Sequence, residues 1–332
     1  MRELPKLLAE ECVSHLDVVV CTHNDYDHSN GLIGLLERST ISVAELWLPG
    51  RFKEALEESA ALTPHRVYES LDGEVPMRPD SVPPVVGDAG FEESPLEHIT
   101  EELAHGHKPI WTLIEPTYRA LLRNRDDARR ARRVCRHWKA LANIRRIADA
   151  ALRRRVPVRW LEYSVAGPHH RTGDLRALNA RRPRRPPLAN LGAVLALTLV
   201  NREALVLSLD LGPRQGVMFC SDSGLTPFLS SAPPGTGLFT APHHGSNDRE
   251  NVAAYPLFDS VPDAVAVRSD KPQEVERSRP CVPYVERQRR FCTRCRGRPT
   301  TQVVRLILGE DGWGPDTGVS ACRCLAQKRT GT

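Results

Sequence analysis

The chain has 332 residues, 40% hydrophobic and 26% charged, a soluble balance with room for one large α/β domain or a core with additions. Its formal charge of +5 is too small an excess to name a polyanionic partner by itself. No stretch reaches the roughly 18 consecutive apolar residues of a membrane span, and the N-terminal stretch lacks the basic head and apolar run of a secretion signal, so no membrane and a cytoplasmic location are expected.

Taken in chain order, LDVVVCT (16–22) is a short apolar run, HNDYDHS (23–29) is polar and NGLIGLLER (30–38) has helical spacing, which predicts strand, loop, helix. ISVAELWLP (41–49) and FKEALEESAAL (52–62) continue the alternation. Residues 73–95 are rich in proline and acid and read as a loop, and 99–152 read as a helical insertion in which arginines crowd from Arg119 to Arg155. VPVRWLEYSVA (156–166) restores strand character. After a basic run at 181–185, AVLALTLV (193–200), ALVLSLDL (204–211) and GVMFCSD (216–222) read as consecutive strands. GLFTAPHHGSN (237–247) and AVAVRSD (264–270) again end an apolar run in a polar loop.

Three polar clusters follow such runs: Thr22 to His28, Phe219 to Ser223 and Ala241 to Ser246. Imidazoles and carboxylates are the side chains that hold zinc, and a carboxylate-rich set moves preference towards harder ions such as manganese. Four ligand-type residues within THNDYDH cannot all serve one ion from a straight strand, whereas a turn can aim them at two neighbouring ions. Loops at strand ends are where α/β proteins gather such chemistry, because the sheet holds the loop rigidly.

These motifs resemble the metallo-β-lactamase superfamily, and within it the ComEC-like branch associated with DNA uptake, over residues 10–270. His23, Asp25, Asp27 and His28 match its H-x-D-x-D-H motif. Asp222 matches the aspartate that bridges the metals, and His244 matches the last ligand. The resemblance implies a metallo-β-lactamase-type αββα four-layer sandwich with two divalent ions, zinc or manganese. His23 with Asp25 would serve one ion and Asp27 with His28 the other; Asp25, Asp27 and Asp222 would also be the catalytic carboxylates. His243 is expected beside the ligands. Asn201 stands where many relatives carry a further histidine, which weakens the first metal site. Ser221 replaces the glycine usual before the bridging aspartate. The family begins with a β-hairpin and little chain precedes His23, so a truncated start, or a protein partner that completes the first sheet, is expected.

Two such ions would share and acidify a bridging water. The branch and the arginine-rich insertion favour a phosphodiester substrate, nucleic acid above all. Trp111, Trp138 and Trp160 are the main stacking candidates, too few for sequence-selective reading. Because fold does not dictate function, a lactonase or thioesterase and a non-catalytic scaffold are the alternatives. The expected division is 1–90 and 156–275 for the two halves of the hydrolase, 91–155 for the insertion and 276–332 for a C-terminal extension.

Nine cysteines, an odd number, suit reduced thiols or a metal better than a disulfide framework. Cys292, Cys295, Cys322 and Cys324 could hold a structural zinc, although their basic neighbours also fit exposed, redox-active thiols. Cys21 and Cys220 read as core residues. His105, His107, His169 and His170 read as solvent-exposed.

Overall fold

The computed structural model describes residues 3–24, 26–53, 143–166, 169–181, 204–269, 279–295 and 303–326. The chain is mixed α/β with several sheets. Its described residues divide into two compact units, one up to Trp160 and the other from Leu161 onward. Asp25, Asn201, the strand expected at 193–200 and most of the arginine-rich insertion lie outside the described residues. Among the described residues, no helix is long and apolar enough to cross a membrane.

The first unit opens with helix α1 (Glu3–Glu10), strand β1 (His15–Val20), helix α2 (Tyr26–Arg38) and strand β2 (Ser42–Pro49). β1 and β2 pair in parallel, with Val18 opposite Glu45 and Val20 opposite Trp47. A parallel pair needs a crossover, and α2 supplies it. Leu32, Ile33 and Leu36 recur at helical spacing and turn one stripe of α2 onto the sheet, where they cluster with Val43, Leu46 and Leu48. A further helix, α3 (residues 143–153), adds Ile144, Ile147, Ala150 and Ala151 to this cluster.

Charge fastens α3 to α2. Arg146 donates two hydrogen bonds, of 2.7 and 2.6 Å, to the Glu37 carboxylate, and Arg154 donates to the carbonyls of Leu35 and Ile41. The arginine fork fits a carboxylate, and the Arg154 cation sits at the negative end of α2. These two arginines of the basic stretch are therefore occupied by the protein itself. Strand β3 (Val158–Tyr163) follows, and its Trp160 packs against the first unit's core instead of standing out as a stacking platform.

In the second unit, β3 continues and pairs antiparallel with β6 (Ala180–Arg181) through Glu162–Arg181 and Tyr163–Ala180. The remaining strands are β4 (Arg171–Thr172), β5 (Leu175–Ala177), β7 (Leu207–Leu209), β8 (Gly216–Phe219), β9 (Thr236–Thr240), β10 (Val265–Arg268) and β11 (Arg290–Cys292). They form one sheet in the order β11-β10-β9-β8-β7-β5-β4. The β7–β8 pair is antiparallel, whereas β8, β9, β10 and β11 are mutually parallel. The residues expected to form a C-terminal extension thus contribute the edge strand β11 to the main sheet.

Phe239, Phe258, Tyr255 and Met218 form the core beneath this sheet, with Phe239 and Phe258 stacked at 3.8 Å between ring centres. Asn179, fully buried, joins the backbone across the sheet by donating to Ala204 O and accepting from Val206 N. The hairpin of β12 (Leu306–Gly309) and β13 (Gly312–Pro315) lays Leu306 and Trp313 over a second apolar cluster with Leu238, Val265 and Phe291. His169 and His170 correct the expectation of exposure: His169 is half-buried with its Nε2 3.2 Å from Ser164 O, and His170 is buried.

Candidate metal centre

In the first unit, the THNDYDH motif begins where β1 ends. His23 is only 7% exposed, and its ring lies 4.0 Å from that of His28, centre to centre. His28 stands in the first turn of α2, so the strand end and the helix start bring the two imidazoles together. Thr22 Oγ1 lies 3.0 Å from His23 Nδ1; by accepting from Nδ1–H it would leave the Nε2 lone pair as the ligand atom. Asp27 belongs to the same turn of α2. The Cys21 thiol donates to His23 O, and burial raises it to about 12, which marks it as packing and not as a ligand.

The second unit gathers its ligand-type residues at the carboxyl ends of three parallel strands. Asp222 follows β8, the His243–His244 pair follows β9 and Ser269 follows β10. Asp222 is 5% exposed. One of its oxygens lies 3.5 Å from His244 Nε2 and the other 3.7 Å from His243 Nε2.

The far side of each ring explains its orientation. His244 Nδ1 lies 2.8 Å from Ser269 O, and a carbonyl can only accept, so Nδ1 carries the hydrogen. In the neutral ring Nε2 then holds a lone pair, directed at a carboxylate oxygen. Two electron-rich atoms in that position repel each other; a proton on Nε2, which makes the contact an ion pair, or a bound metal cation relieves the repulsion. A ligand histidine whose other nitrogen donates to a carbonyl is the usual arrangement around a protein-bound metal.

His243 is held in a similar way, with Nδ1 3.2 Å from Asp248 Oδ2, an oxygen that also accepts from Asn251 Nδ2. Burial opposes the charged imidazole of His243, but the Asp248 hydrogen bond and the charges of Asp222 and Asp248 outweigh it and hold its pKa above the ordinary value. Burial likewise works against the Asp248 carboxylate, yet hydrogen bonds from His243, Ser246 and the Asn251 amide bring it down to about 2. This cluster of the second unit attracts positive charge, and a metal ion is one way to supply it.

The backbone is bent to achieve this. His243 and His244 have φ of 43° and 55°, and Gly245 follows at 69°. Left-handed backbone costs a non-glycine residue on the order of 1–2 kcal/mol, so a run of two is maintained against local preference, as at sites where geometry serves function. Arg268 supports the loop by donating from Nε to His244 O at 2.5 Å, and Ser221 O accepts from His243 N at 2.8 Å. Ser221 itself has φ 51°, a physical reason why glycine suits that position. Ser221→Gly is expected to raise stability by about 1 kcal/mol, read as a higher urea midpoint at unchanged slope; a lower midpoint would show that the serine side chain contributes more than the strain costs.

Asp248, Asn251 and the Ser269 carbonyl were not singled out from the sequence. S-N-D-R-E-N after the histidines carries one usable signal: Asp248 caps helix α4 (Arg249–Ala254) by accepting from Asn251 N. The Cys220 thiol is fully buried and burial drives its pKa far up, in keeping with a core role. The chain matches no family model and no curated protein.

Proposed function

We propose that the chain is a metal-dependent hydrolase of the metallo-β-lactamase type, an αββα sandwich, acting on phosphodiesters and above all on nucleic acid. The observation that carries the reading is His244: its Nδ1 is committed to a carbonyl and its Nε2 faces a buried carboxylate at 3.5 Å, an arrangement that a divalent cation would complete. The family pattern assigns His23, Asp25, Asp27, His28, Asp222 and His244 to one two-ion centre, and the donor chemistry of each unit suits it. Imidazoles with carboxylates accept zinc or manganese.

Ions held there would activate water and polarise the attacked centre. The protein's own part is to hold the ligands in place before substrate arrives. Asp222 supplies buried negative charge, Ser269 fixes the tautomer of His244, and Asp248 with Asn251 aims His243. Preorganised groups of this kind need no rearrangement as charge develops.

The test is hydrolysis of bis(p-nitrophenyl) phosphate and of single- and double-stranded DNA by protein stripped with a chelator and then given manganese or zinc. Turnover that returns with the metal and is absent without it is the expected result. Cleavage of aryl esters or thioesters with none of phosphodiesters would reassign the centre to carbonyl substrates. Tight metal retention with no turnover of either class would make the chain a scaffold.

A further inference from the structure

The strongest feature outside the proposed centre is the thiol cluster of the second unit. Cys292, Cys295, Cys322 and Cys324 bring four sulfurs within 4.8 Å of one another. Their exposures are 1%, 5%, 5% and 2%, and none of them is in a disulfide. Cys292 Sγ and Cys295 Sγ lie 3.8 and 3.9 Å from Cys324 Sγ. Zinc–thiolate bonds of about 2.3 Å in a tetrahedron set sulfurs about 3.8 Å apart, so those two separations are edges of a zinc–sulfur tetrahedron. A disulfide would need about 2.05 Å.

Two backbone amides also point at sulfur: Arg323 N–H at Cys295 Sγ, 3.1 Å, and Cys324 N–H at Cys322 Sγ, 3.4 Å. Amide donors stabilise thiolate charge, and such bonds to the ligand atoms are part of metal–thiolate sites. Burial weighs against exposed redox thiols, which need access for exchange.

From this arrangement we infer that Cys292, Cys295, Cys322 and Cys324 form a structural zinc(II)-tetrathiolate site, chemically separate from the proposed hydrolytic centre. The zinc joins the end of β11 to the segment that follows β13. That segment otherwise holds β11 through Cys322 N–H to Arg290 O, 2.9 Å. The clasp also reaches the histidine loop, because Thr293 N–H donates to Arg268 O at 2.9 Å and Arg268 Nε donates to His244 O.

The test uses the whole chain, purified under reducing conditions and dialysed against EDTA to empty the imidazole–carboxylate centre. Titration with an organomercurial in the presence of a zinc-sensitive dye is expected to release one zinc per chain as four thiols are consumed. Cobalt-loaded protein is expected to show intense thiolate-to-cobalt charge transfer in the near ultraviolet. That band should weaken by about a quarter or more in Cys295→Ser and Cys324→Ser, as one of four thiolates is lost, and keep its full intensity in Cys12→Ser and Asp222→Asn. Absence of zinc release from the wild-type chain would overturn the inference, as would a disulfide among the four cysteines or a charge-transfer band of undiminished intensity in both Cys295→Ser and Cys324→Ser. The wild-type titration decides the matter even where a variant fails to fold.

Discussion

Asp222→Asn is expected to lower the metal-dependent rate by about a thousandfold or more, and the metal-free protein is expected to unfold at a lower temperature than wild type. Asparagine keeps the size and polarity of the side chain, so the strand end that carries it is not disturbed. What is lost is a charge that is 5% exposed and faced by His243 Nε2 and His244 Nε2 at 3.7 and 3.5 Å. On the proposed reading that charge would hold the ions and help neutralise them, and losing a preorganised electrostatic contact in a desolvated site costs several kcal/mol at the transition state. In the metal-free protein the same carboxylate faces both imidazoles and favours the charged form of His243, so removing its charge costs stability there as well. The rates are therefore compared at a temperature where both proteins are folded. A rate within tenfold of wild type would remove Asp222 from the centre.

Gly237→Ala is expected to cost about 3 kcal/mol or more, far beyond the ordinary cost of a surface exchange. A Cβ at this position would fall on the Arg214 carbonyl, 2.7 Å from its carbon, and 3.1 Å from Trp313 Cδ1. A carbonyl of the main chain cannot swing aside as a flexible side chain can. The close approach follows from an irregularity in the β8–β9 pairing, where Gly216 faces Thr236 but Val217 faces Leu238, so Gly237 has no opposite residue. Because β9 leads into the histidine loop, the variant should also bind metal more weakly. Gly314→Ala, where a Cβ would meet nothing within 4 Å, is the control and should unfold as wild type does. Equal urea midpoints for the two variants would contradict the packing described for β9.

Much of what positions the candidate centre was legible in the residues. Apolar runs bounded by polar turns marked β1, β2, β8, β9 and β10; in β8, β9 and β10 the run is continuous because strands largely buried on both faces select apolar sequence. The polar clusters at their ends lie where parallel strands deliver loops, and that placed Asp222 and His244 in one region of the second unit. Other features left no such trace. The carbonyl of Ser269 that orients His244 is a backbone atom, and any residue could supply it. The left-handed φ of Ser221, His243 and His244 runs against the preferences of those residue types, so local propensity predicts the opposite. The pairing of β11 with β10 joins segments separated by a stretch without periodicity. The cysteines could be paired on paper, but only their burial and sulfur separations distinguish a metal tetrahedron from reactive thiols.

The central claim is that the histidines and aspartates hold a pair of divalent ions, and electron spin resonance of manganese(II) titrated into chelator-stripped protein tests it most directly. Manganese prefers oxygen and imidazole donors, so the thiol cluster does not compete for it. The account predicts that the spectrum of the aqueous ion stays suppressed until two equivalents are bound, with the broadened features of an exchange-coupled pair, and that Asp222→Asn abolishes the coupling. A full aqueous spectrum from the first addition onward would contradict it.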